Sequence, residues 1–207
     1  MISFRVLRNP LVAVAMASMA VCSQAAGNLL INGDFEADIA SITGPNFYTT
    51  VNAGQPGIFG WTVGGTSVDL IIAPYYGAIT SVSVDLDGTP GPGTLSQSFN
   101  QVVGQTYTLV WDYFRNPPGS NLGVKFGDLS PVTYTNVSLL TSYVTESLTY
   151  VAASTGVASL TFTSSGGSGG PTIDNVSVTA VPEPEGIVLA VAALTFLGAL
   201  RTRRAKA

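Results

Sequence analysis

The stretch "TYTLVWDYF", residues 106–114, decides the fold class because its large apolar residues alternate with its other residues. One set is formed by Tyr107, Leu109, Trp111 and Tyr113, and the other by Thr106, Thr108, Val110, Asp112 and Phe114. Alternate side chains point to opposite faces of a β-strand. We therefore predict a strand with one dry face and one wet face, which is typical of an antiparallel sheet.

The same period of two recurs along the chain, in "SVSVDL" at 81–86 and "VASLTFTS" at 157–164. Clusters of turn residues separate such runs: "NAGQPG" at 52–57, "VGG" at 63–65, "DGTPGPG" at 87–93, "RNPPGSN" at 115–121 and "SSGGSGG" at 164–170. No amphipathic helical stretch of ten residues occurs between 27 and 181. Many short strands joined by Gly/Pro turns predict an all-β, antiparallel β-sandwich or jelly roll.

Composition limits the chemistry of the region 27–181, which has the length of one domain. A domain of about 150 residues buries about two-thirds of its unfolded surface, so it needs neither a disulfide nor a metal to form a core. The one cysteine of the chain, Cys22, lies before this region. The chain has no histidine, which excludes a Ser-His-Asp triad and His-ligated zinc.

The charge of the region 27–181 is strongly acidic. It has two basic residues, Arg115 and Lys125, against ten acidic residues, which gives a net charge of −8. Nucleic-acid binding needs a basic surface, so we expect no nucleic-acid partner. Acidic polysaccharide and anionic lipid are repelled as well, unless cations bridge the charges.

The N-terminus has the three parts of a secretory signal peptide. Arg5 and Arg8 are basic, residues 11–21 are apolar, and the small residues Ser23 and Ala25 suit a cleavage site. We predict a signal peptide over 1–26 and export across the inner membrane. A lipoprotein signal at Cys22 is an alternative, although Val21 is bulky for that position.

The C-terminus holds a second apolar run. Residues 186–200 carry no charge over 15 positions, and four basic residues follow within 201–206. Such a run is about 22 Å long as a helix, whereas a bilayer core is about 30 Å thick. It is therefore a short membrane span or a processed targeting element, with its basic end in the cytoplasm. A buried C-terminal helix of a soluble domain is the alternative.

The order of Pro182-Glu183-Pro184, apolar run and basic cluster resembles the PEP-CTERM sorting signal of Gram-negative bacteria that make extracellular polysaccharide. The resemblance implies that an exosortase, a membrane cysteine transpeptidase, cuts near the Pro-Glu-Pro and removes the helix. We accordingly divide the chain into a signal peptide at 1–26, a β-sandwich domain at 27–181 and a sorting signal at 182–207. The mature protein is expected at the cell surface or outside the cell.

Five blocks of the central region carry a second resemblance: "NLLINGDFE" at 28–36, "GWTVGGTSVDLI" at 60–71, "SVDLDGTPGPGTLSQSF" at 83–99, "GQTYTLVWDYFRNP" at 104–117 and "GGPTIDNVSVT" at 169–179. They resemble the bacterial choice-of-anchor C domains. They are more loosely similar to a plant cell-wall domain of unknown function and to carbohydrate-binding modules. The resemblance implies a galactose-binding-like jelly roll, a fold that carries many functions.

Paired carboxylates are the remaining route to catalysis, as in a glycosidase. Asp85 and Asp87 are the nearest pair on one strand face. We interpret them instead as solvated edge carboxylates that lead into the Asp87-Gly88 turn, and we predict that the protein is not an enzyme.

A structural Ca²⁺ is the cofactor that the sequence suggests. Asp174 shares a strand face with Val176 and Val178, so it lies at the edge of the core, where a bare carboxylate is costly. Carboxylates are ligands that Ca²⁺ prefers. The resemblance to carbohydrate-binding jelly rolls implies that Glu36 and Asp174 hold the ion together. A hydrogen-bonded Asp174 with a solvent-facing Glu36 is the alternative.

Aromatic residues in loops suggest a glycan site, because sugar rings stack on aromatic faces. Tyr75 and Tyr76 follow Pro74 in a predicted loop, and Tyr113 lies near a strand end. We name these three tyrosines as candidate platforms and place Trp61 and Trp111 in the core. The sequence thus leaves two functions open: a surface or matrix protein that binds polysaccharide, and a structural or interaction protein with no glycan site. A hydrolase is a distant third.

Overall fold

The computed structural model describes residues 27–43, 45–115, 121–135, 142–166 and 169–182. The predicted signal peptide and sorting helix lie outside these ranges, as do Glu183 and Pro184. Eleven strands are described: β1 Tyr48–Asn52, β2 Thr62–Gly65, β3 Ser67–Ile72, β4 Val82–Asp85, β5 Gly93–Gln101, β6 Thr106–Arg115, β7 Leu122–Phe126, β8 Val132–Tyr134, β9 Val144–Val151, β10 Gly156–Ser164 and β11 Pro171–Ala180. A single 3-10 helix, Glu36–Ser41, precedes β1 in this part of the chain.

The strands form two antiparallel sheets that enclose the core. One sheet has the order β1-β3-β4-β11-β6-β9, and the other has the order β2-β5-β10-β7-β8. Every pairing between neighbouring strands is antiparallel. The predicted all-β sandwich of jelly-roll type is therefore confirmed. Among the described residues, no helix has the length and apolar character needed to cross a membrane.

The alternation that predicted β6 and β10 places their large residues between the sheets. The buried set includes Tyr107, Leu109, Trp111, Tyr113, Ala158, Leu160 and Phe162. Trp111 packs edge-on against Phe162 at 5.8 Å, a contact that joins the two sheets through β6 and β10.

The outer face of the six-stranded sheet is less exposed than the period of two suggests. In β4 the predicted wet residues Ser83 and Asp85 are 0% and 8% exposed, as buried as Val82 and Val84. One cause is the connection between β3 and β4, which folds back over this face: the Ile79 backbone N–H donates to the Ser83 hydroxyl at 2.8 Å. The outer face therefore holds a buried polar layer that lies outside the apolar core.

The start of the described chain lies beside its last strand. The Leu29 N–H donates to the Val178 carbonyl, and the Val176 N–H donates to the Gly33 carbonyl, both at 2.8 Å. The register of β11 shifts between Asp174 and Ser177, at the position of a β-bulge. This arrangement brings the 3-10 helix and its Glu36 close to β4 and β11.

Candidate functional site

The connection between β3 and β4 forms a folded loop, residues 73–81, that we call the aromatic loop. The Ala73 N–H donates to the Ser81 carbonyl at 3.0 Å and closes the base of the loop. Within the loop, the Ala78 N–H donates to the Tyr75 carbonyl at 2.9 Å. These backbone bonds give the loop a defined shape and hold the Tyr75-Tyr76 pair at its tip.

Four rings gather at this tip and form what we call the aromatic cluster: Phe47, Tyr48, Tyr75 and Tyr76. Phe47 and Tyr75 stack with their centroids 3.8 Å apart and their planes at 10°. Tyr76 meets Tyr48 edge-on at 5.5 Å. Phe47, Tyr75 and Tyr76 remain 42%, 40% and 47% exposed, so ring area that is costly to hydrate stays in contact with water.

A groove runs next to the aromatic cluster. It has a volume of about 190 Å³ and is lined by Gly77, Ala78, Ile79, Phe114, Ser142 and Tyr143. Tyr143 is 51% exposed and lies at this groove, near the start of β9. The groove therefore adds a fifth accessible ring and backbone polar groups to the surface that Tyr75 and Tyr76 begin.

Asp174 of β11 accepts hydrogen bonds from the C-terminal end of the aromatic loop. Its Oδ2 accepts hydrogen bonds from the Thr80 hydroxyl at 2.6 Å, the Ser83 hydroxyl at 2.8 Å and the Thr80 N–H at 3.2 Å. Its Oδ1 accepts from the Asn175 N–H at 2.7 Å. Asp174 is fully buried, and burial raises the pKa of this carboxyl although these four bonds oppose the shift.

Glu36 reaches the same place from the 3-10 helix. Its Oε1 accepts from the Val82 N–H at 3.0 Å and lies 3.2 Å from the Thr80 hydroxyl. Thr80 thus touches both carboxylates that we predicted to act together, and the structure brings Glu36 and Asp174 to one hydroxyl. A hydroxyl carries one proton, so it cannot donate to both carboxylates at once. When the Thr80 proton goes to Asp174, Glu36 Oε1 keeps the Val82 N–H as its donor.

The side chains described by the structure hold no group of three His, Cys, Asp or Glu that could bind a metal ion. A cation at Glu36 and Asp174 would therefore take its remaining ligands from hydroxyl, backbone carbonyl or water oxygens, which hard cations accept.

The third predicted platform, Tyr113, is 1% exposed and packs 6.5 Å from Tyr134. Its ring has no face open to a ligand, so Tyr113 does not belong to an exposed glycan surface. The reason is its place on the core face of β6, in line with Trp111. The prediction that Trp61 and Trp111 are core residues is confirmed, at 7% and 0% exposure.

The interpretation of Asp85 and Asp87 as solvated carboxylates is wrong. Asp85 is buried and accepts the Asp87 N–H at 2.8 Å. Asp87 Oδ1 accepts the Ser164 hydroxyl at 2.8 Å, whereas its Oδ2 is buried with no hydrogen-bond partner among the described residues. Close packing of Gly170 against Asp85 excludes water here, since a Cβ on Gly170 would lie 1.8 Å from Asp85 Oδ1.

Three contributors to this surface, Phe47, Thr80 and Tyr143, were not predicted from the sequence, and the first two show why. Phe47 directly precedes Tyr48, and Thr80 is one of many threonines in the chain. Neither carries a local signal, because both act through contacts with β3, β4 and β11 that the tertiary structure creates. Pro182, the first residue of the predicted sorting signal, is described and exposed.

The family described as "Protein of unknown function (DUF642)" matches residues 28–179, and the chain belongs to this family. Halomucin of Haloquadratum walsbyi is 34% identical over 164 residues. That match covers 76% of this chain and 2% of halomucin. The chain therefore spans a very small part of the curated relative that it matches.

Solved structures of similar shape include several carbohydrate-binding modules. TmCBM61 in complex with beta-1,4-galactotriose is 15% identical with a TM-score of 0.41, over 75% of this chain and 99% of that one. CBM35 from Paenibacillus barcinonensis is 22% identical with a TM-score of 0.40, over 64% and 99%. The enzymatically active domain of tailspike protein 4 of bacteriophage CBA120 is 16% identical with a TM-score of 0.45, over 74% and 21%.

Proposed function

We propose that this chain is an exported, non-catalytic surface or extracellular-matrix protein whose aromatic cluster binds polysaccharide. The observation that carries the proposal is the set of exposed rings of Tyr75 and Tyr76, which a hydrogen-bonded loop holds in place, and of Phe47, which stacks on Tyr75. A preorganised aromatic surface loses little conformational entropy when a sugar ring stacks on it. Polar groups in the neighbouring groove are available to sugar hydroxyls.

The charge of the domain favours an uncharged polysaccharide over an acidic one. The region 27–181 has a net charge of −8. The one basic side chain that the structure describes, Lys125, donates hydrogen bonds to the nearby backbone carbonyls of Gly127 and Leu129. An acidic glycan would be repelled unless cations bridge the two surfaces.

Calcium is the second part of the proposal. We propose that a Ca²⁺ ion bound by Glu36 and Asp174 fastens the 3-10 helix to β11 and supports the aromatic loop through Thr80. The support for this is that the Thr80 hydroxyl, which has one proton, lies within hydrogen-bond distance of both the Glu36 and the Asp174 carboxylates.

The proposal on location rests on the sequence of the two termini. The signal peptide directs export, and an exosortase is the processing partner, acting near Pro182-Glu183-Pro184. The precursor is held in the inner membrane through the C-terminal helix until it is cut.

Binding of the full-length protein to a panel of neutral and acidic polysaccharides tests the glycan site. We expect the double variant Tyr75→Ala, Tyr76→Ala to bind its best ligand about tenfold or more weakly, because each well-placed ring contributes about 1 kcal/mol. Phe59→Ala is the matched control, since Phe59 is a 63% exposed ring outside the aromatic cluster.

Equal binding by the wild type and the double variant, with unchanged unfolding curves, would show that the sugar site lies elsewhere. If no polysaccharide binds at all, the alternative function remains: a structural or interaction protein without a glycan site.

A further inference from the structure

Two buried carboxylates face each other across neighbouring strands, away from the site described above. Asp69 of β3 and Asp85 of β4 are direct partners in the antiparallel register. Each is 8% exposed. Directly opposite residues point to the same face, with their Cβ atoms about 4.5–5.5 Å apart. Asp69 and Asp85 therefore lie side by side on the outer face of the six-stranded sheet.

The surroundings of this pair hold little that neutralises it. On the other side of Asp85, its partner on β11 is Thr172, which is fully buried and whose hydroxyl has no hydrogen-bond partner among the described residues. Among the described residues, Asp69 receives two long bonds, both from Thr89, at 3.3 and 3.4 Å. The charged group that next faces Asp85 is Asp87, which is also acidic.

Two ionised carboxylates are unstable in this position. Like charges directly opposite on paired strands destabilise the pairing, and a buried carboxylate is costly without a partner charge. The pKa of Asp85 is raised to about 7, mainly by burial; the charges of Asp69 and Asp87 also raise it, and hydrogen bonds from the backbone of Asp87 and Gly170 lower it. Asp85 is then protonated below neutral pH and can donate to its neighbour.

A proton fits this place better than a metal ion does. Hard cations take six to eight oxygen ligands, whereas no third carboxylate joins the pair in a metal-binding group within the described ranges. A shared proton needs only the two carboxyl groups, as in other carboxylate pairs.

We propose that Asp69 and Asp85 share one proton at acidic and near-neutral pH, and that this proton fastens β3 to β4, so that the fold loosens in alkaline surroundings. The shared hydrogen bond replaces a repulsion between the strands that carry the aromatic loop. Thr172 can add its hydroxyl to the same bond network from β11.

The direction of the pH effect follows from where the proton is held more tightly. The folded chain binds it with a pKa of about 7, against 3.8 for the ordinary aspartate. The stabilisation by the proton is complete below about pH 4 and is lost as the pH rises to about 7. Between pH 5 and pH 8 the folding equilibrium constant should fall roughly 100-fold through this group.

Urea unfolding of the full-length protein at pH 5, 6, 7 and 8 tests the proposal. From pH 5 to pH 8, we expect the folding equilibrium constant of the wild type to fall roughly 100-fold relative to that of Asp85→Asn. Asp34→Asn is the control, because Asp34 is exposed, and it should follow the wild type.

Titration of the Asp85 carboxyl carbon by NMR in the wild type gives a readout that does not depend on the variant folding. A midpoint near pH 7 that falls in Asp69→Asn supports the shared proton. A midpoint below pH 5, or an equal pH dependence in the wild type and Asp85→Asn, would overturn it. A third outcome would also overturn the proposal: Ca²⁺ restores full stability at pH 8 in the wild type but not in Asp85→Asn. A cation rather than a proton would then occupy the pair.

Discussion

Asp174 shows how one side chain links the scaffold to the candidate site. Its carboxylate is fully buried, yet it accepts four hydrogen bonds, two of them from Thr80 of the aromatic loop. Charge-assisted bonds of this kind are stronger than neutral ones. The same residue therefore joins β11 to the loop that displays Tyr75 and Tyr76.

Replacing Asp174 by Asn should destabilise the metal-free protein by about 1–3 kcal/mol. The amide has to place its NH₂ group either towards Thr80 and Ser83 or towards the Asn175 N–H. In the first orientation the NH₂ group faces the Thr80 N–H and in the second it faces the Asn175 N–H, and neither backbone donor can turn to accept. Urea unfolding in EDTA measures the loss, and a variant as stable as the wild type would show that the four bonds contribute nothing net.

Calcium should act through the same residue. An ion that binds only the folded state at a concentration of 100 times its Kd adds about 2.7 kcal/mol. For a domain of about 150 residues this raises the Tm by roughly 5–10 °C. We expect this increment in the wild type, measured by calorimetry in Ca²⁺ against EDTA, and little of it in Asp174→Asn. Identical melting curves in Ca²⁺ and EDTA would exclude the site.

The aromatic loop is the element on which the proposed function depends, and one glycine sets its position. Gly77 has a φ of +78°, and a Cβ there would lie 2.5 Å from Cε1 of Phe114. The loop can therefore lie against the outer face of β6 only because this residue lacks a side chain.

We expect Gly77→Ala to displace the aromatic loop and to weaken polysaccharide binding, because overpacking of this kind costs about 1–3 kcal/mol. Gly54→Ala is a matched control: its φ is +75°, and nothing lies within 4 Å of the added Cβ. Binding and urea unfolding measured on both variants separate the clash from the backbone strain. Equal effects of the two substitutions would mean that contact with Phe114 does not position the loop.

The whole molecule combines an acidic sandwich with two terminal segments that we propose direct its export. In a host with an exosortase, mass spectrometry should find the mature protein ending near Pro182-Glu183-Pro184. In a matched host without the exosortase, the chain should keep its basic C-terminus. Recovery of a processed, cell-surface form that still carries residues 201–206 would contradict the sorting proposal.

Local patterns were sufficient to predict the architecture. The alternation in β6 and β10 and the turn clusters between runs predict an antiparallel sandwich, because period-two burial is a property of a single strand. They also predict Trp111 as a core residue. The period-two rule failed to predict the burial of Ser83 and Asp85 in β4. The aromatic loop and Gly170 cover parts of the outer face of this strand, and nothing in residues 81–86 indicates that they do.

The sequence by itself determined the fold class, the acidic charge and the lack of histidine chemistry, and it is the basis of the proposed export and sorting signals, since each depends on residue types or on short-range order. Only the tertiary structure decided which side chains meet. It joins Glu36 to Asp174 through Thr80, stacks Phe47 on Tyr75, buries Tyr113 and sets Asp69 against Asp85. Such meetings depend on strand order and on how a loop folds back over a sheet, and these follow from long-range packing between residues distant in the chain.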